Sequence, residues 1–218
     1  MHEFLNIKLI AMISLIGIGY FVVIIIAMHK LRPDYNFRSR YISEYAVGKY
    51  GQLAASSFVI YGLSILGIYL CLQTIMPVNA RSNIGLILMA IWGVAKVIAG
   101  FFNSDLKTEQ MSRHGIVHSI TANIGVVASV ICTIFLSIGF ALNERTQSIA
   151  LVTLIIGLVA LILVVLLFLG LIGDMGLKYH HNVSGIFLSL HKLTGLTERL
   201  LLGVSVIWLA ILVNFITH

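Results

Sequence analysis

Apolar residues run through this chain in six long blocks, at about 7–28, 53–75, 84–102, 115–142, 148–172 and 200–215. Each approaches the roughly 20 residues that an α-helix needs to cross a bilayer. The last block is short, and Leu196 extends it toward 197. The fourth, about 28 residues, would rise roughly 42 Å as a helix, so it tilts or projects from the membrane. No proline and no long polar segment interrupts any block. The short alternating strands of a membrane barrel are absent. The pattern therefore predicts an all-α polytopic membrane protein, one six-transmembrane-helix bundle over residues 1–218, with both termini on one side. No internal repeat is evident.

Side-chain periodicity adds detail. In the fourth block His114, His118, Thr121, Gly125, Ser129 and Cys132 recur every three or four residues, one stripe of polar and small side chains. Such a stripe is expected to face other helices or a cavity, because lipid offers no hydrogen bonds. Ser57, Tyr61 and Ser64 form a similar stripe in the second block. The fifth, "LVTLIIGLVALILVVLLFLG", is nearly featureless and is expected to face lipid, outside any site.

Composition agrees. The chain is 59% hydrophobic and 10% charged, with mean hydropathy +1.03; a soluble domain carries roughly 25% charged residues. The net charge of +6 points to anionic headgroups before nucleic acid. Cys71 and Cys132 lie in apolar runs and lack metal-ligand spacing. The first block is longer than a signal sequence core, and "HKLRPDYN" follows it where a cleavage site would stand, so it is read as a retained span.

Charge is distributed unevenly. The first, third and fifth connections with their helix edges hold ten lysines and arginines, against three in the N-terminus and the other connections. That bias predicts cytoplasmic odd-numbered connections and both termini outside. The same three connections carry Asp34, Glu44, Asp105, Glu109, Asp174 and Glu198, and His29, His114, His118, His180, His181 and His191. A functional site, if the chain has one, belongs on this loaded face.

Candidate chemistry follows from the residues there. His114 and His118 share a helix face. Their spacing admits a divalent metal such as zinc with Asp105 or Glu44, a general base near a phosphate, or two interfacial rings bonded to loop carbonyls. In "YISEYAVGKYG", Ser43 is placed to cap a helical turn with Glu44 favoured by its dipole, or to contact a ligand; Gly48 and Gly51 suggest a turn or close packing. Lys96 stands about 9 Å inside the third span, where an ion either faces the bundle or snorkels. "VSGIFLSL" is expected to lie in the interface as a short helix, with Glu198 and Arg199 where the last span meets the membrane. Arg38, Arg40 and Arg199 suit phosphate or carboxylate, or pair with neighbouring loop charges.

Three segments, "RPDYNFRSRYISEYAVGKYG", "GFFNSDLKTEQMSRHGIVH" and "GLTERLLLG", together resemble the domain of unknown function 998 family, six-span bacterial and archaeal membrane proteins. Ser43, Glu44, Asp105, Gly115 and His118 carry the likeness most specifically. It implies a fold, a site on the loaded face and a bacterial inner membrane location, and no reaction. The leading expectation is binding, with or without processing, of an anionic or phosphate-bearing lipid or lipid-linked phosphate at the cytoplasmic interface. Arg38, Arg40, Lys96, His114, Glu198 and Arg199 would bind it; Ser43, Glu44, Asp105 and His118 would orient it or move a proton. The alternatives are a proton-coupled transporter, a metal-dependent intramembrane hydrolase with Asp105, His114 and His118 as ligands, an accessory subunit, and a haem carrier using His29 and His118.

Overall fold

The computed structural model describes residues 2–76, 79–106, 112–179 and 183–218. Lys107, Glu109, His180 and His181 fall outside them. Among the described residues every regular element is helical: α1 (His2–Leu31), α2 (Gly51–Ile75), α3 (Ala80–Phe101), α4 (Arg113–Ala141), α5 (Gln147–Lys178), α6 (Gly185–His191) and α7 (Thr194–Thr217), with a 3-10 turn at Ile42–Ala46 between α1 and α2. Six of these are long and apolar enough to cross a membrane. The chain is thus an all-α polytopic membrane protein, as its hydropathy pattern predicts.

Helices adjacent in sequence pack side by side, and α7 closes the ring by contacting α5, α1 and α2. The core is largely aromatic. Phe21 of α1 stacks on Tyr61 of α2 at 4.4 Å, Tyr61 meets the edge of Trp92 of α3 at 6.2 Å, and Trp92 lies 6.4 Å from Trp208 of α7. Around this column Ile65, Leu72, Leu136 and Phe140 are fully buried. The stripes read from sequence face inward except toward the N-terminal end of the fourth, where His114 is exposed and Thr121 half-buried. Ser57, Tyr61 and Ser64 are buried, as are His118, Gly125, Ser129 and Cys132.

Inside lipid, helix association rests on close packing, since the tails are as apolar as leucine. Here small residues let backbones touch. A Cβ at Gly62 would stand 2.7 Å from the Gly93 carbonyl oxygen and 2.7 Å from the Val97 nitrogen, so α2 and α3 meet backbone to backbone. In "GLIGDMG" of α5, glycines at every third position face α6 and its flanks. A side chain at Gly170, Gly173 or Gly176 would strike Thr194, the Phe187 carbonyl or Val183. This run is what folds the short α6 back onto α5.

Three boundaries differ from the sequence reading. The fifth helix continues past Ile172 to Lys178, because a lone Asp174 ends the apolar run without breaking the helix. At 32 residues it rises about 48 Å. The last helix starts at Thr194, ahead of the 197 read from sequence, which places Glu198 and Arg199 within its opening turns. In the 3-10 turn the N-cap position belongs to Tyr41, and Glu44 reaches back to accept from its N–H at 3.2 Å; Ser43 is inside the turn and does not cap it. Gly48 has φ +75°, and a side chain on Gly51 would strike the Ala46 carbonyl, a turn and a close approach as the glycines suggest.

Replacing Gly62 by alanine should destabilise the bundle by about 1–3 kcal/mol through overpacking. The same change at Gly19, where nothing lies within 4 Å, should have little effect. Denaturation of the two purified variants in detergent checks the difference.

Candidate functional site

A cavity of about 730 Å³ opens at the charged end of the bundle. Its polar back wall is built from three helices. Lys96 comes from α3, His118 from α4 and Glu198 from α7, with Ser43 and Arg40 above them from the first connection. Most of its apolar lining comes from α4 and α5, through Ala122, Val126, Leu167, Leu171 and Met175, with Ser119, Asn123, Asp174 and Lys178 of the same helices beside them. The end of α5 therefore lines the site, where the sequence reading left that helix out. The wall it supplies lies along and just beyond the end of its featureless run.

Each polar group is held by a definite local structure. The His118 ring is 4% exposed, and its Nδ1 lies 2.8 Å from the Phe102 carbonyl and 3.1 Å from that of Ala99. Both partners are acceptors at the C-terminal end of α3, where helix carbonyls lack intrahelical donors. Nδ1 therefore carries a proton, and the neutral ring keeps Nε2 as its acceptor. Asp105 accepts from the Ser112 N–H and hydroxyl, each at 2.7 Å, while the Ser112 hydroxyl accepts from Gly115 N–H at 3.0 Å. This pair caps α4, and any side chain on Gly115 would collide with the Asp105 carboxylate. Asp105 reaches the cavity wall, but its carboxylate already does structural duty.

The arginines separate into those on the wall and those behind it. Arg40 lines the cavity and donates to Glu44 at 2.7 Å. Glu44 is fully buried one layer behind the wall, so it balances Arg40 and ties down the 3-10 turn. Arg199 is not on the wall. Its guanidinium donates to His29 Nε2 at 2.9 Å, to the Arg40 and Gly195 carbonyls at 2.8 Å, and to the Tyr45 hydroxyl at 3.2 Å. Arg38 is exposed beside Phe37 and also lies off the wall. His114 is exposed against Phe102, with ring centroids 5.4 Å apart.

The proposed metal set is accordingly not assembled: among the described residues no three His, Cys, Asp or Glu side chains are grouped to hold an ion. The ring of His114 packs against Phe102, and His118 Nδ1 is bonded to carbonyls. The haem arrangement fails likewise, because His29 Nδ1 meets the Ile25 carbonyl at 2.6 Å and its Nε2 takes the Arg199 N–H.

Sequence reasoning missed a second cluster on the cavity wall. Asp174 accepts from the Tyr41 hydroxyl, and its other oxygen lies 2.8 Å from His191 Nδ1. Burial, reinforced by the Asp174 carboxylate beside it, pushes the Tyr41 phenol well above the usual tyrosine range, so Tyr41 remains a donor. The cluster joins the first connection, α5 and α6. The available signal was Asp174 itself, an ion closing an apolar run beside three evenly spaced glycines. Chemically, the wall offers the Lys96 and Lys178 ammoniums, the Arg40 guanidinium, two imidazoles whose Nδ1 atoms are engaged, and the carboxylates of Asp105, Asp174 and Glu198. That set can bind a polar head and accept a proton from it.

These features define a six-span helical membrane protein with an amphipathic cavity at one rim. The chain belongs to the DUF998 family, proteins of unknown function, whose model matches residues 15–214. No curated protein and no solved structure matches it.

Replacing Arg199 by methionine should cost about 3 kcal/mol or more, because it strands several partly buried acceptors. Lysine at this position should restore only part of the loss, since an ammonium cannot reproduce the fork. Equilibrium unfolding of the three forms tests the order.

Proposed function

We propose that this protein binds a lipid or lipid-linked phosphate in the rim cavity, with the polar head against Lys96, His118 and Glu198 and the chains along α4 and α5. The observation that carries the reading is a cavity whose lining joins ionisable side chains to apolar side chains of α4 and α5. Its volume falls in the range of small-molecule sites, roughly 300–1,000 Å³. Ala122 and Leu171 of this lining are partly exposed and Met175 is exposed, which suits a ligand arriving sideways from the bilayer. The basic connections favour a cytoplasmic rim with both termini outside, in a bacterial inner membrane.

Membrane carriers commonly place their sites at discontinuous helices near the bilayer midplane. The six spans here are unbroken and the cavity lies at one rim, which supports binding or processing over transport. Any processing would use the proton acceptors on the wall, His118 Nε2 foremost.

Tryptophan at Val126 or at Leu171 fills the apolar side without touching the polar wall. Native mass spectrometry should find a copurifying amphiphile on the wild type and at least about tenfold less on either variant, a loss of roughly 1.4 kcal/mol. Equal occupancy in all three, or no amphiphile on the wild type, refutes the reading.

A further inference from the structure

Lys96 is 6% exposed and its side chain lines the cavity, yet it closes no hydrogen bond or ion pair with another described residue. A buried ammonium at this depth is costly unless something meets it. Glu198 is similarly half used. One carboxylate oxygen accepts from the Ile42 N–H at 2.7 Å, and the other takes no hydrogen bond from a described residue. The two side chains form no salt bridge with each other.

The other charged groups on the wall are engaged or peripheral. Arg40 is balanced by Glu44, Asp174 is held by Tyr41 and His191, and Asp105 by Ser112. Lys178 also lines the cavity, from the last residue of α5 and outside the back wall. The back wall thus presents one open cation and one half-open anion, on α3 and α7. A head that is only anionic would satisfy Lys96 and repel Glu198; one that is only cationic would do the reverse. Headgroup fit must decide between lipids, because chains gain nothing by leaving one apolar medium for another.

Resting on the lipid-binding reading, we infer that the cavity selects a zwitterionic head made of a phosphodiester and a primary amine, as in phosphatidylethanolamine. The phosphate oxygens meet Lys96, and the ammonium donates to the open oxygen of Glu198. A quaternary amine has no proton to donate and is recognised by aromatic cages instead, so a choline head is the poorer match. His118 Nε2 is a second acceptor for the amine.

The test is titration of delipidated protein, read by native mass spectrometry, with dioleoyl phosphatidylethanolamine, phosphatidylcholine, phosphatidylglycerol and phosphatidic acid. Ethanolamine lipid should bind about tenfold or more tightly than the glycerol lipid, as expected for a hydrogen bond to a charged group. Glu198→Gln keeps an acceptor for the Ile42 N–H and should erase that preference. Lys96→Met should weaken both about tenfold or more. The ratio between two lipids on one variant is independent of how much protein is folded.

Equal binding of the ethanolamine and glycerol lipids, equal binding of the choline lipid, or a preference untouched by Glu198→Gln overturns the headgroup inference while the lipid reading stands. No binding of any lipid overturns both. Free phosphoethanolamine binding as tightly as the lipid would sustain the head chemistry and identify a water-soluble ligand.

Discussion

Hydrocarbon offers no hydrogen-bond partner, so polar groups below the membrane surface must be satisfied by the protein itself. Within the spans this happens locally. Ser14, Ser64, Thr133, Ser137 and Ser205 each bond to a carbonyl one turn earlier on their own helix. Tyr61 Oη and Trp208 Nε1 are exceptions, buried without partners among the described residues in an aromatic column held by ring packing. At the rim the same constraint is met between elements. Arg199 gathers acceptors from α1, the first connection and α7, and His118 satisfies the end of α3.

The cavity is what remains when that constraint has been met almost everywhere else. A crowded set of ions at the end of a bundle does two kinds of work. Glu44, Arg199, His29 and the carboxylate of Asp105 hold the connections in place. Lys96, one oxygen of Glu198 and one nitrogen of His118 are left facing open space. Neighbours in sequence divide between the two roles: Glu198 points into the cavity and Arg199 away from it, because successive helical residues point about 100° apart.

Close packing sets where the open space lies. Glycine contacts draw α2 against α3, and the glycine run of α5 draws in α6. Between them α4 and α5 supply apolar lining at the rim. His191 and Asp174 join α6 to α5 at the cavity edge, so the element that closes the site is fastened by groups that also line it.

The six spans, their alternation and the loaded rim could all be read from the chain, because lipid imposes a length and composition rule on every crossing segment. His118, Lys96, Ser43 and Glu198 could be singled out, since ionisable or polar residues near apolar runs are rare. Their division of labour could not. Whether an arginine grips backbone carbonyls or faces a ligand depends on which acceptors lie within about 3 Å, and for Arg199 these come from residues up to 170 positions away. Asp174 and His191, 17 residues apart, became partners only because three glycines let α6 fold back onto α5. Sequence determined what must be buried in the membrane; tertiary packing decided which of the buried charges were left open, because hydrogen bonds are short-ranged and long-range proximity is created only by folding.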